Sequence, residues 1–76
     1  MEVKVGIRDV PREVGVETKA SAVDVEAALA DAIASGGLFT LTDEKGRKVL
    51  IPAAHIAYVD LGTENARAVG FGALNA

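Results

Sequence analysis

A chain of 76 residues, half of them apolar and with a net charge of −3, is long enough for one folded domain and too short for two. The absence of cysteine excludes disulfides, thiolate metal sites and cysteine nucleophiles. The negative charge disfavours broad affinity for nucleic acid, because such affinity depends on neutralising phosphates.

The residue pattern shows no sign of export or membrane insertion. The first strand pattern begins at Glu2, and no basic segment with an apolar run precedes it. The later apolar runs are short and interrupted, and a small extracellular domain would usually carry disulfides. We therefore expect a cytoplasmic protein that does not associate with membranes.

The first 18 residues predict a β-hairpin. Val3, Val5 and Ile7 alternate with polar residues or glycine, which is typical of a half-buried strand. The proline in the segment 9–12 favours a chain reversal, and a second alternating run follows it. Gly15 in this second strand indicates a bulge or a close backbone approach.

Residues 21–37 predict the helix of the domain. Ser21 is a suitable N-cap with Asp24 in the first turn, and the glycines at 36 and 37 suit the C-terminal end. Residues at helical spacing form one apolar stripe that we expect to face the core: Val25, Ala28, Leu29, Ala32 and Ile33. The opposite side carries Val23, Ala27, Ala30 and Ala34, where the high helix propensity of alanine is a sufficient explanation.

Three further strands follow the helix, over residues 38–42, 48–51 and 56–61. Residues 43–46 predict a hairpin turn, and residues 52–55 predict one helical turn that begins with proline. A short sixth strand is predicted over residues 67–71 and a loose tail over 72–76. The prediction is thus a single α+β domain over residues 1–76, in the order ββαβββ. One helix packs on one face of a mostly antiparallel or mixed sheet.

Alternation in the three later strands assigns their side chains to two faces. The face toward the helix receives Phe39, Leu41, Val49, Ile51, Val59 and Leu61. The other face receives four large side chains, which we interpret as an interaction surface: Leu38, Leu50, Ile56 and Tyr58. A single helix covers only one face, so we expect a second copy or a protein partner to cover this surface. The internal alternative is that the segment around Val69 and Phe71 folds over it.

Two resemblances add to this picture. The element order resembles that of ubiquitin-like β-grasp domains, which implies that the first and last long strands are parallel neighbours. A β-meander of the last three strands fits the same order. The segments 1–6, 41–47, 56–59 and 69–72 resemble an actinobacterial family of small uncharacterised proteins, the domain of unknown function 3107. This resemblance implies an actinobacterial cytoplasmic protein. Some members of this family carry an ATP-binding label, and the resemblance implies no catalytic residues.

The side chains that carry chemistry are few and dispersed. His55 is the only histidine and has no second ligand, and Asp43, Glu44 and Asp60 lack the spacing of metal ligands. Asp43 is expected to bond the turn backbone instead. The glycines fit no phosphate-binding loop, and Asp24 opposes a phosphate at the helix N-terminus. We therefore predict no catalytic residue, no metal site and no cofactor.

Two functional hypotheses remain. The first is a small non-enzymatic interaction or accessory module that associates with itself or with a protein partner. The alternative is a nucleotide (ATP) or nucleic-acid binding protein. It would use a candidate anion-binding patch of Arg8, Arg12, Arg47 and Lys48, with Tyr58 as the exposed aromatic side chain for base stacking.

Overall fold

The structure is a computed structural model, and it describes residues 1–62. Within this range the elements are β1 (Glu2–Ile7), β2 (Glu13–Glu17), α1 (Ala22–Ser35), β3 (Leu38–Thr42), β4 (Lys48–Pro52), a 3₁₀ turn (Ala53–His55) and β5 (Ile56–Leu61). The predicted ββαβββ order and the predicted helical turn after β4 are confirmed. The sixth strand predicted at 67–71 and the tail predicted at 72–76 lie outside the described residues.

The strands form two antiparallel sheets. Strand β1 lies between β2 and β5 in a three-stranded sheet, and β3 pairs with β4 in a separate hairpin. The predicted α+β class with mostly antiparallel strands is confirmed. Strand β5 runs antiparallel to β1, so the parallel pairing implied by the β-grasp resemblance is wrong. The meander is wrong as well, because β5 pairs with β1 and not with β4.

The direction of β5 follows from the short connection before it. The amide of Arg8 donates to the carbonyl of His55 at 2.8 Å, which holds the start of β5 beside the end of β1. From that point β5 runs back along β1, from the pair Ile7–Ile56 to the pair Val3–Leu61. The 3₁₀ turn is too short to carry the chain to the other end of β1, as a parallel pairing would require.

The core lies between the two sheets and the helix. The side chains of Phe39, Val3 and Val5 are fully buried. Those of Val16, Leu41 and Ile51 are almost fully buried. The predicted inward set of the later strands is confirmed, since its remaining members pack against this core: Val49, Val59 and Leu61.

The helix begins and ends where its caps predict. The hydroxyl of Ser21 accepts the amide of Asp24 at 3.1 Å, which satisfies one of the free donors of the first turn. Gly36 has a left-handed φ of 68°. Its amide donates to the carbonyl of Ile33, and the amide of Gly37 donates to the carbonyl of Ala32. This is a Schellman motif, in which glycine avoids the strain that a Cβ would create.

The buried stripe of the helix is narrower than predicted. Val25 and Ala32 are buried and Leu29 is half-buried, as expected for the core side. Ala28 is exposed and Ile33 is 62% exposed, so their assignment to the core is wrong. Ile33 lies about 80° around the helix from Val25. The β3–β4 hairpin and the 3₁₀ turn cover only one side of the helix. At this angle Ile33 lies outside the covered side.

A backbone hydrogen bond lies at each end of the β3–β4 hairpin: the first joins the hairpin to β2, and the second extends the pairing of β3 with β4 by one residue pair. The amide of Glu44 donates to the carbonyl of Glu17 at 3.0 Å, so the hairpin turn meets the end of β2. The amide of Ala53 donates to the carbonyl of Gly37 at 2.9 Å, at the other end of the hairpin. In the described part of the chain, no helix is long and apolar enough to cross a membrane.

Candidate functional site

The outward side of the β3–β4 hairpin carries two large exposed aliphatic side chains. Leu38 pairs with Pro52 and Thr40 pairs with Leu50, so the two leucines are diagonal neighbours on the same surface. Each leucine is 55% exposed. We call this surface the hairpin face, and it consists of Leu38, Thr40, Thr42, Lys48, Leu50 and Pro52. Lys48 is its only charged residue.

Ile56 does not belong to this surface, and its predicted outward orientation is wrong. The register of β5 against β1 shifts between Tyr58 and Ile56, which leaves Ala57 as an extra residue. Such a bulge inverts the alternation of side chains. Ile56 therefore packs against the core, while Tyr58 points away from it.

Tyr58 is exposed as predicted, but on the other sheet. It lies on β5, whereas Leu38 and Leu50 lie on the hairpin, and the two sheets share no strand. The structure thus brings together two of the four residues of the predicted interaction surface. Whether those two form an interface stays a prediction.

Tyr58 is held in place by its two neighbours across the three-stranded sheet. Its ring lies over Gly6 of β1, where a Cβ would overlap the ring carbons. Its hydroxyl donates a hydrogen bond to the carboxylate of Glu13 on β2. This hydrogen bond raises the pKa of the Tyr58 hydroxyl above its ordinary value, and partial desolvation adds to the effect.

The outward face of the three-stranded sheet is acidic. Its rows across the strands are Glu13–Gly6–Tyr58 and Gly15–Lys4–Asp60, followed by the pair Glu17–Glu2. Four carboxylates and one lysine give this face a formal net charge of −3. The terminal ammonium of Met1, 3.4 Å from the carboxylate of Glu17, offsets part of that charge. The acidic surroundings of Tyr58 therefore disfavour the binding of phosphates beside it, and its hydroxyl is already hydrogen-bonded to Glu13.

The candidate anion-binding patch is not assembled. Arg12 precedes β2, at the tip of the first hairpin that also carries Arg8, whereas Arg47 lies beside Glu17 at the end of β2. A five-residue strand separates these places by about 13 Å. The predicted patch is therefore two separate pairs of basic residues, with Lys48 beside Arg47 on the hairpin.

Arg47 is further engaged by its own turn. Oδ1 of Asp43 accepts the amides of Lys45 at 2.9 Å and Arg47 at 2.8 Å, which confirms the predicted structural role of this aspartate. Oδ2 of Asp43 lies 3.4 Å from Nε of Arg47. The backbone bond from Arg47 is the main cause that lowers the pKa of Asp43 below its ordinary value. The guanidinium of Arg47 therefore has a carboxylate neighbour within the turn.

His55 lies exposed in the 3₁₀ turn, where its carbonyl accepts the amide of Arg8. Among residues 1–62, no group of three histidine, aspartate or glutamate side chains is arranged to hold a metal ion. Asp60 pairs across strands with Lys4, and Asp43 is occupied by its turn. The expected absence of a catalytic residue, a metal and a cofactor stays a prediction.

The helix carries two further large apolar side chains that are exposed. Val23 is 72% exposed, and Ile33 in the last turn is also exposed. The ionisable residues of the helix are all acidic: Asp24, Glu26 and Asp31. Periodicity does not predict the exposure of Ile33. The helical spacing places this residue at the margin of the apolar stripe, and spacing alone does not show how wide the covered part of the stripe is.

A hollow of about 410 Å³ lies between β2 and the turn of the β3–β4 hairpin. It is lined by residues 15–17 of β2 and by Asp43, Glu44, Lys45 and Arg47 of the turn. Sequence reasoning predicts β2 but not its position at the edge of the sheet. The residue pattern does not mark β2 as an edge strand, since the central strand β1 also alternates valines with charged residues and also contains a glycine.

Comparison with known proteins assigns the family and no activity. A search among curated proteins finds no match to the chain. The sequence profile of a family described as "Protein of unknown function (DUF3107)" matches residues 1–72. The match confirms the family resemblance seen in the sequence segments. The chain therefore belongs to the DUF3107 family of proteins of unknown function.

Proposed function

We propose that this protein is a small non-enzymatic interaction module that associates with a second copy of itself through the hairpin face. The observation that carries the proposal is the diagonal pair of Leu38 and Leu50, both more than half exposed. Two large aliphatic side chains side by side on a strand surface are typical of a contact region rather than of isolated exposed residues.

Charge favours the hairpin face over the other exposed surfaces as the place where two copies meet. The outward face of the three-stranded sheet has a formal net charge of −3, and the helix carries only acidic side chains. Two copies of either surface would repel each other. On the hairpin face the only charge is Lys48, at the end of the hairpin opposite Leu38. In a twofold contact centred on the leucines with the two hairpins antiparallel, the two lysines lie at opposite ends of the contact.

The expected association is weak. A stable complex buries about 800 Å² on each partner, and two leucines with a neighbouring proline supply only a fraction of that area. The separation of Ile56 and Tyr58 from the leucines removes half of the predicted surface. We therefore expect a dissociation constant on the order of 100 μM.

Sedimentation analysis from about 10 μM to about 1 mM tests the proposal. The wild type should shift from monomer toward dimer over this range, and the dimer should persist in high salt because apolar contacts are not screened. Leu50→Asp should remain a monomer. Val23→Asp is the matched control, because it adds the same charge at an exposed valine away from the hairpin face.

Two outcomes would count against the proposal. One is a wild type that stays monomeric at the highest concentration. The other is a control variant that dissociates as fully as Leu50→Asp, which would show that added charge and not the hairpin face is responsible. We place the protein in the cytoplasm, because a small extracellular domain would usually carry disulfides and this chain has no cysteine.

A further inference from the structure

We propose that strand β4 pairs edge to edge with β4 of a second copy, so that the two hairpins form one four-stranded antiparallel sheet. The identity of the partner rests on the proposed function, and the strand pairing adds the way in which the two copies meet. Leu50 of one copy lies directly opposite Leu50 of the other, at the centre of the contact.

The amide and carbonyl of Leu50 point away from β3. At one end of the hairpin the amide of Asp43 donates to the carbonyl of Arg47 at 2.8 Å, and at the other end the amide of Ala53 donates to the carbonyl of Gly37 at 2.9 Å. Bonded and non-bonded pairs alternate in an antiparallel ladder, and counting from either end makes the pair that contains Leu50 a non-bonded one. Its backbone groups are therefore directed to the outer edge of β4.

The outer edge of β4 is open, whereas the outer edge of β3 is flanked by the chain itself. Across residues 1–62, β4 pairs with β3 and with no other strand. The helix packs against β3 and the 3₁₀ turn. A hollow of about 150 Å³ beside β3 is lined by residues 40–42, by Thr18 and Ala20, and by the first turns of the helix. A strand from another copy therefore has freer access to β4 than to β3.

The centre of β4 is apolar on both of its faces. Val49 and Ile51 point toward the core, and Leu50 between them is 55% exposed on the hairpin face. An exposed edge strand with an apolar centre is a site at which another strand can pair. Lys48 and Pro52 are residue types that protect edge strands, but they lie at the two ends of β4 and leave its centre free.

Twofold pairing centred on Leu50 matches apolar residues on both faces of the new sheet. The two copies of Leu50 exchange two backbone hydrogen bonds. On the core side Val49 of each copy lies opposite Ile51 of the other, and apolar cross-strand pairs of this kind stabilise a sheet. Lys48 lies opposite Pro52, so the two lysines are four residues, or about 13 Å, apart along the strands.

The strand pairing also joins the two hairpin faces into one surface. Leu38 is a diagonal neighbour of Leu50, so the leucines of both copies form a continuous stripe across the four strands. The edges of the three-stranded sheet suit a second copy less well. Pairing there would join two outward faces that each have a formal net charge of −3, and these faces repel each other.

An isotope-filtered nuclear Overhauser experiment tests the pairing on the full chain, with labelled and unlabelled protein mixed equally at about 1 mM in total. In a non-bonded antiparallel pair the two Cα atoms are about 4.5 Å apart, which brings their α hydrogens into contact. We expect an intermolecular signal between the α hydrogens of Val49 and Ile51. Within one chain the Cα atoms of these residues are about 7 Å apart along the strand, so the signal identifies the pairing of two copies.

Two variants at the central position provide an independent readout by sedimentation. Leu50→Pro removes the outward amide without removing a bond to β3, and proline is tolerated in an edge strand at such a position. Leu50→Val keeps that amide and a branched aliphatic side chain. The proline variant should dimerise at least about tenfold more weakly than the valine variant.

The outcomes separate the strand pairing from the proposed function. A wild-type dimer that dissociates in Leu50→Asp but gives no intermolecular signal between Val49 and Ile51 would overturn the strand pairing and leave the hairpin face as the contact. A wild type that stays monomeric at about 1 mM would overturn both. The intermolecular signal decides the question even if Leu50→Pro fails to fold.

Discussion

The ring of Tyr58 lies across Gly6 of the neighbouring strand, in the space that a side chain at position 6 would occupy. The two residues form a direct cross-strand pair, and Glu13 on the far side of Gly6 accepts the tyrosine hydroxyl. The ring thus bridges all three strands of the sheet. This arrangement explains how a chain with few aromatic residues keeps one of them on an exposed surface.

Gly6→Ala should displace the ring of Tyr58 and lower the stability of the fold by about 1 kcal/mol, as overpacking does. The chain contains one tyrosine and no tryptophan, so intrinsic fluorescence reports Tyr58 alone. We expect a clear change in that signal. Gly15→Ala is the matched control, because a Cβ at position 15 meets nothing closer than 3.6 Å. An unchanged fluorescence signal in Gly6→Ala would contradict the contact.

The titration of Tyr58 should reveal the hydrogen bond to Glu13. The pKa of its hydroxyl is raised, so this bond stabilises the fold at pH values below the ordinary tyrosine pKa. That stability is lost as the pH rises through the raised value. Absorbance of the phenolate measures the titration directly, since Tyr58 is the sole tyrosine. In Glu13→Gln the pKa should move down toward its ordinary value, and a titration identical to wild type would show that the bond is absent in solution.

The acid sensitivity of the hairpin should depend on Asp43. Its pKa is lowered by the backbone bonds of its turn, so its stabilising effect is present above the ordinary aspartate pKa. That effect is lost as the pH falls through the lowered value. Asp43→Asn should therefore melt below the wild type near neutral pH, and the difference should shrink in strong acid. Glu44→Gln, the adjacent exposed carboxylate, serves as the control and should show no such dependence.

Two valines on the same helix offer a matched test of the core. Val25 is buried and Val23 is exposed, and the change to alanine removes the same atoms and brings the same gain in helix propensity. Val25→Ala should lower the free energy of unfolding by about 2 kcal/mol relative to Val23→Ala. Chemical denaturation measures the difference. Equal stabilities would mean that a different side of the helix faces the core.

Local features of the fold were predictable because they depend on a few adjacent residues. Ser21 and Gly36 mark the ends of the helix through their own capping bonds, and Asp43 organises a turn of its immediate neighbours. The alternation of Phe39 and Leu41 identifies the inner side of β3 without knowledge of its partner. These signals do not require the rest of the chain.

Long-range features were not predictable from the same signals. The direction of β5 depends on the bond between Arg8 and His55, which are far apart in sequence. The bulge at Ala57 leaves no mark in the residue pattern, and it alone reverses the side on which Ile56 lies. Alternation therefore assigns Leu38 and Leu50 to the correct side of the hairpin, but it fails for Ile56, which lies beyond the bulge.

Amide chemical shifts recorded over a dilution series test the central claim most directly, because they show which surface two copies share. A chain of 7.8 kDa is well suited to this measurement. We predict concentration-dependent shifts at Leu38, Thr40 and Leu50, with the amides of Val23 and Tyr58 unchanged. Shifts confined to the helix or to the three-stranded sheet, or spectra that do not change up to about 1 mM, would contradict self-association through the hairpin face.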